Sequence, residues 1–165
     1  MRAIVIGITG CVGSGKSTVA RALGLPVLDL DHVGASCAKA IGLNPAIALA
    51  RIVGGDRALE AKLVPMVKAA IAQWLEVTPR PCVIDSALLF EQGLDSLCDL
   101  TVCLTCPAEM RRSRVAQRTT ASASLFDQIE GAQWPEAKKA ARATLALPTG
   151  QPLDEVIRQL RAALG

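Results

Sequence analysis

Aromatic side chains are nearly missing from this 165-residue chain: it has no tyrosine, and Phe90, Phe126, Trp74 and Trp134 are its four rings. So few rings leave no stacking platform for nucleic-acid bases, and a net charge of +3 supplies no general basic surface for a phosphate backbone. Nucleic acid is therefore not an expected partner. No apolar run reaches the roughly 18 residues of a membrane-spanning helix, and the N-terminus lacks the basic, apolar and small-residue order of a signal peptide. A cytoplasmic protein without a membrane partner is the expectation. Histidine is limited to His32. Cys103 and Cys106 have C-x-x-C spacing, but no second pair or histidine cluster follows to close a zinc site. The six cysteines (Cys11, Cys37, Cys82, Cys98, Cys103 and Cys106) are expected as intracellular thiols, and "TVCLT" reads as a strand in which Cys103 is a small core residue.

What is present is concentrated at the start. An apolar content of 51% over one domain's length is ample for a single core. The segment "GITGCVGSGKSTVARAL" places Gly10, Gly15, Lys16 and Ser17 in G-x-x-x-x-G-K-[ST] without a gap. An apolar strand-length run precedes the glycines and a helix-like run follows them, which is the context this motif requires. Backbone amides from Gly13 through Ser14, Gly15, Lys16 and Ser17 to Thr18 are expected to converge on the β-phosphate of a nucleotide, ATP, at the positive end of the new helix. Lys16 adds a mobile charge for the β and γ oxygens, and the Ser17 hydroxyl is a ligand for Mg2+.

Apolar runs "AIVIGI", "PVLDL", "PCVID", "LTVCLT" and "ATLAL" are strand-length and separated by helical stretches. The expected fold is α/β: a three-layer P-loop NTPase domain with a five-stranded parallel sheet, a small helical acceptor-side segment and a helical lid. One domain spans 1–165, with 32–78 as the acceptor-side insertion and 107–142 as the lid. Asn44 and Pro45 predict a turn followed by a short helix ending in two glycines. Asp56 predicts the cap of a helical stretch that Pro65 splits or kinks. "RTTASAS" is the most loop-like stretch, and Val156, Ile157, Leu160 and Leu164 predict the buried face of a last helix. The site belongs at the carboxyl ends of the strands, where Asp29, Asp31 and Asp85 lie.

The acceptor distinguishes a kinase from a switch or a mechanical ATPase. No N-K-x-D guanine-reading element is present. Asp29 and Asp31 are two apart, so one carboxylate can take the acceptor's proton while the other holds a metal-bound water, unless one of them caps the helix beginning near His32. Asp85 follows "CVI" as a Mg2+-side acid would, its other reading being a cap for "SALLFEQGL". Arg111, Arg114 and Arg118 share a helical face, either as solvated charge or as a clamp whose planar forks suit phosphate.

These residues together resemble the dephospho-CoA kinase family. "GITGCVGSGKSTVA" is similar to the family's T-G-G-I-G-S-G-K-S-T-V loop, "VLDLD" to its D-x-D strand end, and "VIDSALLFEQGLD" to its D-x-P-L-L-F-E segment. "RRSRVAQR", "DQIEGAQ" and "EAKKA" resemble its R-x-x-x-R, R-I-x-x-Q and lysine-bearing lid. The resemblance implies phosphorylation of the ribose 3'-hydroxyl of dephospho-coenzyme A, a small-molecule acceptor. It implies Asp31 as the base, Lys16 and Ser17 as triphosphate and Mg2+ contacts, and Arg114, Arg118 and Lys139 as lid residues near the transferred phosphate. Glu91 falls on the acceptor side or in a supporting network. The chain departs from the family in a short stretch between Asp31 and Pro65, in Val64 for a histidine, in Ala87 for a proline, and at Ala143, Thr144 and Thr149. Competing expectations are another small P-loop kinase, of nucleoside, nucleotide or shikimate type, and a nucleotide-binding regulatory protein without an acceptor site.

Overall fold

A computed structural model describes residues 4–118 and 123–165. The expected strand start at Ala3 and the middle of the "RTTASAS" loop, 119–122, lie outside the described residues. Five parallel strands run β1 (Val5–Gly10), β2 (Val27–Asp29), β3 (Cys82–Asp85), β4 (Leu100–Thr105) and β5 (Leu145–Pro148). Their order across the sheet is β2-β3-β1-β4-β5. Eight α-helices are present among the described residues: α1 (Lys16–Ala22), α2 (Leu30–Ala40), α3 (Pro45–Val53), α4 (Arg57–Val77), α5 (Ala108–Arg118), α6 (Ala123–Ala132), α7 (Glu136–Arg142) and α8 (Leu153–Leu164). None is long and apolar enough to cross a membrane by itself.

The period-two alternation of the central strands sorts their side chains into two cores. Val5, Cys82 and Ile84 face one layer, with α2, α3 and α4. Ile6, Ile8 and Val83 face the other, with α1 and α8. Gly7 is on the side of Val5, where a Cβ would meet Cys98 Sγ at 2.7 Å and Leu89 Cδ2 at 2.9 Å. A glycine there lets the segment after β3 lie directly on β1. Val156, Ile157, Leu160 and Leu164 form the buried face of α8, as their spacing predicts.

Pro65 does not split its helix. α4 is continuous from Arg57 to Val77, with Pro65 inside it. The stripe Leu59, Leu63, Val67 and Ile71 is buried on both sides of the proline, each side chain contributing roughly 1.5–3 kcal/mol of burial. Pro65 itself is exposed, so the hydrogen bond it cannot make is lost on the wet face, where water takes the orphaned carbonyl. Asp56 caps α4 by accepting from Leu59 N at 2.9 Å, and Asn44 caps α3 with Pro45 in its first turn.

Candidate active site

β1 delivers the chain to the phosphate loop at the carboxyl edge of the sheet. The loop turns through Ser14 N, which donates to Cys11 O at 3.0 Å. Gly13 has φ +79°, and a Cβ on it would lie 2.6 Å from the carbonyl oxygen of Arg111, so α5 presses its backbone onto the loop. Gly15 is the N-cap of α1 with φ 89° and supplies no side chain to the helix end. The first helical bond runs from Val19 N to Gly15 O. The amides of Lys16, Ser17 and Thr18 are therefore left without intrahelical acceptors, as the opening turn of any helix leaves them.

The loop is fastened from behind, mostly by its carbonyls. Arg111 donates to Val12 O at 3.3 Å, and the Thr149 hydroxyl donates to Ser14 O at 2.8 Å. Arg114 Nη1 lies 3.5 Å from both Gly13 O and Ser14 O, while its Nη2 donates to Thr149 O at 2.7 Å. Gln133 Oε1 accepts from Val12 N at 3.0 Å. With its acceptors engaged, the loop presents donors to an anion. Ser14 Oγ is buried and has no partner among the described residues, one more polar atom on the loop.

The charged groups gather at the start of α1. Burial pulls the Lys16 ammonium down from its ordinary pKa, opposed by Asp85 and then Asp31. Ser17 Oγ donates to Asp85 Oδ2 at 2.7 Å. Burial pushes the Asp85 carboxyl up, and the Ser17 hydrogen bond and the Lys16 charge resist that rise. Asp85 does not cap a following helix; residues 87–93 form turns. Register pairs Asp29 with Asp85 across β2 and β3.

The two aspartates at the end of β2 have different positions. β2 stops at Asp29, so the pair does not share a strand face. Asp29 is the N-cap of α2: Oδ1 accepts from Asp31 N at 2.9 Å, and Oδ2 lies 3.0 Å from His32 Nδ1. Each Asp29 oxygen thus makes one contact at the start of α2, and each keeps a further lone pair. Asp31 stands in the first turn of α2 with an exposed side chain whose inner side is crowded by protein. That crowding, then Asp29, pushes its carboxyl above the ordinary value, with Lys16 and His32 pulling the other way.

The expected lid residues separate into two environments. Arg118 and Arg114 line a cavity of about 240 Å³ together with Ser14, Gly15 and Thr18. Arg111, which shares their spacing, is instead buried, donating to Cys106 O at 3.0 Å and pairing with Glu130. Lys139, expected beside the transferred phosphate, has no exposed surface: its ammonium lies 2.8 Å from Glu91 Oε1 and donates to Ala87 O at 2.5 Å. The reason is steric and electrostatic. α7 docks against β4, and this brings the lysine to Glu91, which also accepts from Trp134 N at 2.9 Å.

Sequence reasoning missed the bracing roles of Arg111, Gln133 and Thr149. Their partners on the loop are 99, 121 and 135 residues away, a separation with no sequence signature. A second cavity, of about 700 Å³, opens on the other side of the loop between α2, α3, α4 and α6. Val12, Lys16, Asp31 and Glu91 line its polar end, Leu63 and Val67 its apolar wall. Arg57 is among the lining residues, a second cation of this cavity besides Lys16. The phosphate loop is thus shared by two cavities, with Asp31 and Lys16 facing the larger. A nucleotide's phosphates and a second molecule can meet there.

A divalent cation fits the donors present. Ser17 gives its single proton to Asp85, which leaves its oxygen lone pairs for a cation. Among the described residues no group of three or more His, Cys, Asp or Glu gathers to form a full protein cage. Such a donor set suits Mg2+, which keeps several waters and takes phosphate oxygens.

Comparison with known proteins yields one consistent family. A family model described as dephospho-CoA kinase matches residues 54–154. The chain is 37% identical over 183 aligned residues to a Thermus thermophilus protein named dephospho-CoA kinase, covering 98% of this chain and 90% of that one. It is 33% identical to one of the same name from Rhizobium meliloti, covering 96% and 95% of the two chains. The solved structure of TT1252 from Thermus thermophilus superposes with a TM-score of 0.82 at 35% identity, over 99% of this chain and 97% of that one. Shikimate kinase from Bacteroides thetaiotaomicron has a TM-score of 0.67 at 17% identity, over 98% of each chain, a likeness of fold.

Proposed function

This chain belongs to the dephospho-CoA kinase family, and on that premise we propose that it transfers the γ-phosphoryl group of ATP to the ribose 3'-hydroxyl of dephospho-coenzyme A, giving coenzyme A and ADP. The observation that carries the reading is the loop shared by two cavities, one bordered by Arg114 and Arg118 and the other by Asp31. The nucleotide base takes the smaller cavity and the acceptor the larger, whose apolar wall suits a long organic acceptor and whose lining arginine, Arg57, suits an acceptor diphosphate. Residues 32–78, carrying α3, α4 and most of α2, wall the acceptor side; residues 107–142, carrying α5, α6 and α7, form the lid.

Each group then has a task. The loop amides and Lys16 hold and neutralise the triphosphate, because phosphoryl transfer asks the protein chiefly for position and compensating charge. Asp31 accepts the 3'-hydroxyl proton; burial, then the charge of Asp29, raises its pKa and so makes it a better base than an ordinary aspartate. Asp29 holds the first turn of α2 and so positions Asp31 rather than reacting. Ser17, oriented by Asp85, would hold Mg2+, which would supply charge compensation for the phosphates. Arg114 braces the loop at Thr149, and from the wall of the smaller cavity it and Arg118 would reach toward the nucleotide's phosphates on the adjoining loop.

A coupled ADP-release assay tests the reading with dephospho-coenzyme A, adenosine and shikimate as acceptors. ADP release and coenzyme A formation with dephospho-coenzyme A alone is the expected result. Turnover of shikimate in preference, or of no acceptor, refutes it.

A further inference from the structure

The smaller cavity carries a hydrogen-bond polarity imposed from outside it. Gln151, which lines this cavity in the loop before α8, donates from Nε2 to Gln159 Oε1 at 3.2 Å. Gln159 in turn donates from Nε2 to Glu155 Oε1 at 2.7 Å, one turn back along α8. The direction of the chain is set at its far end. Arg158 holds Glu155 with two nitrogens, Nε to Oε2 at 2.8 Å and Nη2 to Oε1 at 2.5 Å. These bonds, and then that from Gln159, keep the Glu155 carboxyl at about 2, so it is ionised and accepts only. Gln159 must face it with its amide nitrogen and offer its carbonyl to Gln151. Gln151 must answer with its own nitrogen, and its Oε1 is the end left over.

We propose that the Glu155–Gln159–Gln151 relay makes this cavity select adenine over guanine, with Gln151 Oε1 accepting from the exocyclic amino group of the base. Adenine carries a donor at that position and guanine a carbonyl oxygen, so guanine sets two acceptors against each other. The cavity's volume of about 240 Å³ is below the roughly 300–1,000 Å³ of sites that enclose a whole drug-sized ligand, which suits a base whose phosphates lie outside on the loop. Ser14, Gly15 and Thr18 border the same space and connect it to the loop. The inference rests on the proposed placement of the nucleotide base in this cavity and on no property of the acceptor.

Affinities of non-hydrolysable ATP and GTP analogues, read by calorimetry with Mg2+ and without acceptor, test it on the full chain. The parent is expected to bind the ATP analogue at least about 10-fold more tightly, the worth of one hydrogen bond against one unmatched acceptor. Gln159→Lys is the diagnostic variant. A lysine donates to both Glu155 and Gln151 and accepts from neither, so the Gln151 amide must turn and present its nitrogen to the cavity. The preference should fall about 10-fold or invert, with GTP-analogue binding improved. If Gln159→Lys does not fold, Gln151→Ala takes its place and should abolish the preference. Equal affinity of the parent for both analogues, or an unchanged ratio in the variants, overturns the relay. Dephospho-coenzyme A turnover is a separate readout: its absence with a preserved nucleotide preference refutes the proposed function and leaves the relay standing.

Discussion

Lys139→Met removes the ammonium from a buried pair while keeping an unbranched side chain in its place. In the parent, Lys139 has no exposed surface, Glu91 is 10% exposed, and the pair is closed at 2.8 Å. Removal leaves the Glu91 carboxylate with the amide of Trp134 as its partner among the described residues, with Oε2 already buried and unbonded. Breaking a buried pair from one side costs about 3–5 kcal/mol, because the remaining charge is desolvated without compensation. For a chain of this size each kcal/mol moves the melting temperature by roughly 2–4 °C, so a fall of about 6–20 °C is expected. Lys139→Met with Glu91→Gln should recover most of that loss, since the neutral pair strands no charge and the glutamine can still accept from Trp134 N. Differential scanning calorimetry of the parent, both single variants and the double variant measures it, alongside turnover at a temperature where all are folded. An unchanged melting temperature in Lys139→Met with turnover collapsed would refute the buried-pair reading and put the lysine on the transferred phosphate.

Asp31→Asn should bind Mg·ATP as the parent does and transfer phosphate at least about 100-fold more slowly, the usual loss for a general base; equal turnover of dephospho-coenzyme A puts the base elsewhere. Because the Asp31 pKa is raised and its protonated form cannot accept a proton, kcat/KM for the acceptor should fall as pH drops through that raised value, with the acid limb above that of an ordinary aspartate, and Asp31→Asn should lack this limb. Ser17→Ala should raise the Mg2+ concentration needed for half-maximal turnover while circular dichroism stays unchanged; an unaltered metal titration would show that Ser17 is not a ligand. Gly13→Ala puts a Cβ 2.6 Å from Arg111 O at φ +79°, so a loss of about 1–3 kcal/mol and of nucleotide binding is expected, and a variant with parental melting and affinity would show that the loop can yield there.

What the sequence determined was local. The glycine spacing, Lys16 and Ser17 specify the phosphate loop because its chemistry is carried by consecutive residues, and the strand-length apolar runs specify a buried parallel sheet because period and composition are read within a few residues. The cap at Asp56 and the turn at Asn44 that opens α3 were legible for the same reason, since such a side chain bonds an amide two or three positions on. Of the two expectations at Pro65, a split or a kink, the split fails because propensity is weighed without the apolar stripe that holds both halves of α4 against the core. The roles of Asp29 and Asp31 were left open because they turn on where β2 ends, a boundary one residue wide that the docking of α2 fixes. Arg111 read as a lid cation by helical spacing and Lys139 by the family resemblance; only the tertiary fold could bury them against Glu130 and Glu91, which come from other segments. The two cavities and the relay through Gln159 are likewise products of packing. They exist because the sheet order β2-β3-β1-β4-β5 brings elements far apart in the chain to the same edge, and neither the geometry of that edge nor the partners it creates can be read from neighbours in sequence.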